Sequence, residues 1–81
     1  MDIQNEYQNV CNNIRFLRKK YGLSRTVMAK KLHITIKNLD SMESGIFPQR
    51  IRISLLFHVE KSFGISPKEM LDTRLEDDDL L

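Results

Sequence analysis

The sequence predicts an all-α domain, folded as a compact five-helix bundle. Three observations favour this fold class: apolar residues recur at intervals of three and four, capping residues precede several of these segments, and no segment alternates as a half-buried strand would. The chain has 81 residues, 41% of them hydrophobic, which suffices for one small core. We expect the domain at residues 1–75 and an acidic, disordered tail at 76–81.

The first helix is predicted to begin at Ile3 and to end before Gly22. Apolar residues at positions 3, 7, 10, 14, 17 and 21 form one helical stripe. Gly22 suits the position after the helix, because glycine takes a left-handed conformation without steric cost. Phe16 lies opposite the stripe, so we expect it to be exposed, where it would contact a second subunit or the C-terminal segment.

Two short helices are predicted next, joined by a turn of about four residues. Ser24 is expected to cap the second helix and Thr35 the third. His33 and Ile34 form the turn between them. Three residues of the second helix are expected to face the core: Met28, Ala29 and Leu32.

The third helix, about residues 36–44, is apolar on one side and polar on the other. At 100° per residue, Met42 and Glu43 fall on the same side as Leu39, which is the core side. Five residues fall on the outer side or its flank: Ile36, Lys37, Asp40, Ser41 and Ser44.

The C-terminal part predicts two further helices after a loop at 46–50. Residues 51–63 are apolar nearly all round, which is typical of a helix central to a core or shared between subunits. Gly64 ends this helix. Residues 66–69 form a capping box with proline at the first helical position, and they predict a short fifth helix bearing Met70, Leu71 and Leu75.

Positive charge is concentrated in the middle of the chain. The whole chain carries +2, but residues 14–52 hold ten Lys and Arg against two acidic residues, a net charge of +8 over this segment. Four acidic residues stand at 76–79. A basic centre favours a polyanion such as nucleic acid, if the tail lies away from the contact surface. A solvated basic surface without a partner is the alternative.

Composition argues against several other classes. A single cysteine cannot form an internal disulfide, which is typical of a reducing compartment. No apolar run approaches the roughly 18 residues of a membrane span and no signal pattern is visible, so we expect a cytoplasmic protein without a membrane partner. Cys11, His33 and His58 lack metal-ligand spacing. Since no catalytic or cofactor motif occurs either, we expect no enzyme, metal or cofactor.

Five short motifs are shared with a known family. They are Ile14-Arg15-x-Leu17-Arg18, Gly22-Leu23-Ser24, Met28-Ala29-x-x-Leu32-x-Ile34-Thr35, Leu39-x-x-Met42-Glu43-x-Gly45 and Phe63-Gly64-Ile65-Ser66. Through these motifs, the segment from residue 14 to about residue 71 resembles the helix-turn-helix (XRE-type) family of the phage repressors and Cro proteins. The resemblance implies a lambda repressor-like bundle. It also implies a transcriptional regulator that inserts helix 3 into the major groove of double-stranded DNA.

The resemblance also implies a role for individual residues. Arg18 would pair with Glu43, and the core-side position of Glu43 supports this, because an unpaired carboxylate there would be costly. Three residues are candidates for base contacts: Ile36, Lys37 and Ser41. Six are candidates for phosphate contacts: Ser24, Arg25, Asn38, Ser44, Arg50 and Arg52. Apolar area beyond what one chain covers predicts a homodimer through helices 4 and 5, and no domain for a small-molecule effector is visible.

The chain departs from the family pattern at several positions. Arg25 stands where glutamine is usual, His33 replaces the glycine of the turn, and the loop that contains Pro48 is about three residues longer. Asp40 flanks the DNA side, where a carboxylate repels phosphate unless it accepts from a cytosine amine. Asp40, Phe16 and the very apolar helix 4 motivate an alternative: an antitoxin-like or regulatory interaction module that has lost DNA readout. A poorly selective DNA coater is a third possibility.

Overall fold

The computed structural model describes residues 3–48, 51 and 53–75, and this part of the chain is all-helical. The five helices are α1 (Ile3–Lys20), α2 (Arg25–Leu32), α3 (Ile36–Glu43), α4 (Ser54–Phe63) and α5 (Pro67–Asp72). The radius of gyration is 11.7 Å, and no strand occurs among the described residues. The predicted fold class, a compact all-α five-helix bundle, is therefore confirmed. The tail predicted at 76–81 lies outside the described residues.

All five helices contribute to one core. Its buried apolar side chains are Val10, Cys11, Ile14, Leu17, Met28, Ala29, Leu32, Leu39, Met42, Leu55, Leu56, Val59 and Met70. The set includes the three residues of α2 that were expected to face inward. α1 packs against α3 and α5, while α2 packs against α3 and α4. None of the described helices is long and apolar enough to cross a membrane.

Three of the helices begin directly after the serine or threonine that the sequence indicates as the cap. Ser24, Thr35 and Ser66 each accept a hydrogen bond from the backbone N–H three residues later, at 3.1, 3.1 and 3.2 Å. α4 begins at Ser54, so the predicted start at position 51 was wrong. Ile53, the residue before α4, has no side-chain cap. An apolar run without a capping residue does not define where a helix begins.

The aromatic residues of α1 correct the sequence prediction. Phe16 is half-buried and packs against the core, so its predicted exposure was wrong. The reason is that both α3 and α5 pack on α1, so a wider arc of its surface is covered than one stripe predicts. Tyr7 and Tyr21, on the predicted stripe, are 43% and 52% exposed. Each lies near one end of the helix, where Tyr7 stacks on Phe47 and Tyr21 contacts Phe63.

One buried polar side chain connects the first and last helices. Asn13 is fully buried, and its Nδ2 donates to the carbonyls of Met70 and Thr73 at 3.1 and 2.7 Å. Its Oδ1 accepts from the backbone N–H of Leu75 at 2.7 Å. A helix end leaves carbonyls without intrahelical partners, and Asn13 satisfies one of those of α5, the carbonyl of Met70. This role was not predicted from the sequence, in which the only signal was an asparagine within the apolar arc of α1.

Candidate nucleic-acid interface

α2 and α3 are eight-residue helices joined by the three residues His33, Ile34 and Thr35. His33 donates its N–H to the carbonyl of Lys30 at 3.2 Å, and Ile34 donates to that of Ala29 at 3.0 Å. His33 takes a left-handed conformation with φ of 58°, which glycine would adopt without cost. Ile34 is half-buried against the core. Backbone hydrogen bonds and this apolar contact therefore fix the turn.

An ion pair fixes the core side of α3. Nε and Nη2 of Arg18 donate to the two carboxylate oxygens of Glu43 at 2.6 and 2.8 Å, and Nη1 donates to the carbonyl of Leu23 at 3.2 Å. The side chains of Arg18 and Glu43 are only 16% and 8% exposed. Because Arg18 donates these hydrogen bonds to the carboxylate of Glu43, the pKa of Arg18 lies above its ordinary value. This is the pair implied by the family resemblance, and it ties α1 to the end of α3.

The opposite side of α3 faces solvent. Leu39 and Met42 are fully buried, whereas the residues of the outer side and flank are exposed or half-buried. Among the candidates for base contacts, Ile36 is 45% exposed, Lys37 is exposed and Ser41 is half-buried. The three candidates thus lie on one helix, and Ile36 and Lys37 are more accessible than Ser41.

The described candidates for phosphate contacts lie at the start of α2, on α3 and directly after α3. Ser24 and Arg25 are exposed at the start of α2, and Asn38 is half-buried on α3. Ser44, predicted as the last residue of the helix, is instead the residue after it. Its hydroxyl donates back to the carbonyl of Asp40 at 3.0 Å. The two remaining candidates, Arg50 and Arg52, lie outside the described residues.

A polar cleft lies where α1, α2 and α3 meet. Its lining residues are Arg15, Arg18, Lys19, Arg25, Asp40, Glu43 and Ser44. The cleft contains two carboxylates, those of Glu43 and Asp40. Oδ1 of Asp40 lies 3.1 Å from Nε of Arg25. Unlike the pair behind α3, this one is accessible to solvent, with side chains that are 56% (Arg25) and 54% (Asp40) exposed.

The Arg25–Asp40 pair was not predicted from the sequence. Both residues were recognised separately, as departures from the family pattern, and their pairing accounts for the two departures together. The orientation of α2 on α3 brings them together, and helical periodicity within one segment carries no information about it. A signal did exist in the sequence: an added cation on α2 and an added anion on α3, both on predicted outer surfaces.

A second missed contact joins the turn to α4. The rings of His33 and His58 stack with their centroids 4.0 Å apart and their planes inclined by 12°. The sequence predicted His33 as a turn residue and His58 as a surface residue, and it did not predict their contact. Within the described part of the chain, no group of three His, Cys, Asp or Glu residues is placed to hold a metal ion. The third residue considered for a metal, Cys11, is buried in the core, and burial raises its pKa to about 11.

A separate apolar groove lies on another part of the surface. Its lining residues are Tyr7, Val10, Phe47, Ile51, Ile53, Leu56 and Leu71. Ile53 is 73% exposed, and Phe57, farther along α4, is 57% exposed. The groove belongs to α1, α4, α5 and the segment between α3 and α4. It therefore does not involve the exposed side of α3.

No protein-family model matches the chain, and comparisons with curated proteins and with solved structures likewise yield no match. The function therefore has to be inferred from the residues of this chain.

Proposed function

We propose that this chain is a sequence-specific DNA-binding transcriptional regulator of the helix-turn-helix class. The observation that carries the proposal is α3 itself: one side is fixed by core packing and by the Arg18–Glu43 pair, and the other is open to solvent. An α-helix is about 10–12 Å across, and the major groove of B-DNA is about 12 Å wide. A rigidly held helix can present the same side chains to base edges each time it binds.

Electrostatics supports a nucleic-acid partner. Seven exposed cations lie on α1, α2 and α3: Arg15, Lys19, Lys20, Arg25, Lys30, Lys31 and Lys37. The two carboxylates between positions 14 and 44, Asp40 and Glu43, each lie against an arginine. The cations outnumber these two carboxylates, so the surface of the three helices carries a net positive charge. Each phosphate that such cations neutralise releases counterions, which drives binding at low salt.

The exposed residues of α3 have side chains suited to reading bases. Lys37 would donate to O6 and N7 of a guanine, and Ile36 would pack against a thymine methyl group. Ser41 would donate or accept at a neighbouring base. Ser24 and Arg25, at the start of α2, would contact the phosphate backbone, where helix amides and a guanidinium suit an anion.

We further propose that the regulator acts as a homodimer through α4 and α5. The apolar groove and the exposed Ile53 and Phe57 provide the surface, since apolar area of this kind commonly marks a protein interface. A two-fold dimer would present two copies of α3 to half-sites about 34–36 Å apart. Sedimentation should therefore find a dimer at micromolar concentration. A monomer at high concentration would remove the paired half-sites from the proposal.

The decisive experiment begins with selection of bound duplexes from a random pool. Affinity for the selected duplex is then measured between about 50 and 200 mM salt for the wild type, Lys37→Ala and Lys68→Ala. Lys37→Ala should weaken binding and relax the base preference. If the lysine also reaches a phosphate, the salt slope, which is the change of log affinity with log salt concentration, should fall by up to about 0.9 units. Lys68, exposed on α5, is the matched control with the same change in charge.

If no duplex is bound at low salt, DNA binding is contradicted. If Lys37→Ala and Lys68→Ala have equal effects on a bound duplex, base reading by Lys37 is contradicted. An interaction module is the second candidate function, and the exposed apolar residues favour it. In that case a protein partner would be retained by the Lys37→Ala and Arg25→Ala variants. Its binding would instead be lost on changing Ile53 to Asp.

A further inference from the structure

The two arginine–carboxylate pairs of the polar cleft differ in solvent accessibility, and therefore in how easily each pair can change partner. The Arg18–Glu43 pair is bidentate and nearly inaccessible, with the carboxylate 8% exposed, so it cannot exchange partners without loosening α3. In the Arg25–Asp40 pair, Nε of Arg25 lies 3.1 Å from Oδ1 of Asp40, and more than half of each side chain is exposed. A solvent-accessible pair of this kind is held weakly, so either member can change partner.

Asp40 is unfavourable for DNA binding in two ways. It places a carboxylate on the exposed side of α3, where it repels the phosphates that flank the major groove. It also holds Arg25, the cation that starts α2, and so removes one positive charge from any sequence-independent contact with the backbone. Both effects weaken binding to DNA of any sequence. Only a base that donates a hydrogen bond to the carboxylate can offset them, and cytosine offers its N4 amino group in the major groove.

We propose that Asp40 is a specificity-determining residue that controls Arg25. On a duplex without the matching base, Asp40 keeps Arg25 paired, and the phosphate contact is not made. At the target site, Asp40 accepts from a cytosine amino group, and Arg25 moves to a phosphate. The pair thus lowers non-specific affinity more than specific affinity. This inference rests on the DNA-binding function proposed above and adds the base type that is read.

The test uses Asp40→Asn, which keeps the size of the side chain and removes its charge. Glu60→Gln is the control, because Glu60 is an exposed acid on α4 and the change in net charge is the same. On a non-specific duplex, Asp40→Asn should bind more tightly at about 50 mM salt. Its salt slope should steepen by about 0.9 units, so that its affinity falls about 3.5-fold more than that of the wild type between about 50 and 200 mM salt. Glu60→Gln should match the wild type.

Two further measurements separate control of Arg25 from simple repulsion. In an Arg25→Gln background, the change of Asp40 to Asn should no longer steepen the slope, because no arginine is left to release. The preference of the wild type for cytosine at one position of the selected site should fall about fivefold or more in Asp40→Asn. Circular dichroism should show native helix content for all variants, since both side chains are exposed.

The outcomes distinguish this inference from the proposed function. If the wild-type chain binds no duplex, the proposed function fails and the inference fails with it. If the wild type binds but Asp40→Asn behaves like Glu60→Gln, DNA binding stands and the role of Asp40 is overturned. That role is also overturned if the slope steepens equally with and without Arg25, or if the cytosine preference is unchanged.

Discussion

If the Arg18–Glu43 ion pair holds α3 in place, removing Arg18 should lower the free energy of unfolding by a predictable amount. In Arg18→Met the aliphatic stem of the side chain is largely kept, but Glu43 loses two hydrogen bonds of 2.6 and 2.8 Å while only 8% exposed. Removing one partner of a buried pair costs about 3–5 kcal/mol. Because Arg18 is 16% exposed and some water can reach the site, we expect the lower end of this range.

Urea unfolding followed by circular dichroism measures this cost. A loss of about 3 kcal/mol is large against the roughly 5–15 kcal/mol of a typical domain, and it corresponds to a decrease in Tm of about 12–24 °C for a chain of this size. Glu43→Gln should cost less, about 1–2 kcal/mol, because the remaining guanidinium can reach solvent. The Arg18→Met/Glu43→Gln double variant should be less destabilised than the sum of the single variants, by about 1–3 kcal/mol.

The solvent-accessible pair provides the comparison for this prediction. Arg25→Met also breaks an arginine–carboxylate contact, but one whose side chains are more than half exposed, so we expect a cost below about 1 kcal/mol. If Arg18→Met cost no more than Arg25→Met, or if the cycle between Arg18 and Glu43 were additive, the pair would not be what holds α3.

Three further predictions concern the rest of the fold. Asn13→Ala should destabilise the chain by about 2–4 kcal/mol in urea unfolding, because one buried carbonyl, one part-buried carbonyl and one N–H lose their partner, while Asn12→Ala costs less than about 1 kcal/mol. His33→Val should be about 1–2 kcal/mol less stable than His33→Asn, because both lose the ring stack but only valine is strained at φ of 58°; equal stabilities would contradict this. Burial raises the pKa of Cys11 from 9.0 to about 11, so the unfolded chain ionises first. The free energy of unfolding should therefore be unaffected by Cys11 below about pH 9 and fall between about pH 9 and 11, and Cys11→Ala should lack this component of the decline.

Much of the fold follows from local sequence because the relevant interactions span few residues. A capping serine or threonine acts on a backbone N–H three positions away, so Ser24, Thr35 and Ser66 mark helix starts without knowledge of the rest of the chain. α4 shows the limit of this information. Its start was misplaced because an apolar run without a cap does not distinguish the helix from the segment before it.

The candidate site likewise has features that local sequence predicts and others that depend on tertiary packing. Helical periodicity alone placed Leu39 and Met42 inward and Lys37 outward, and the core-side position of Glu43 required a cation near it. Which residues meet across helices was decided by tertiary packing. The Arg25–Asp40 pair, the Asn13 contacts with the end of α5 and the stacked rings of His33 and His58 all join separate elements. The pattern within each helix determines which side is buried, but the contacts between helices depend on their relative rotation, and that is set only when the whole core packs.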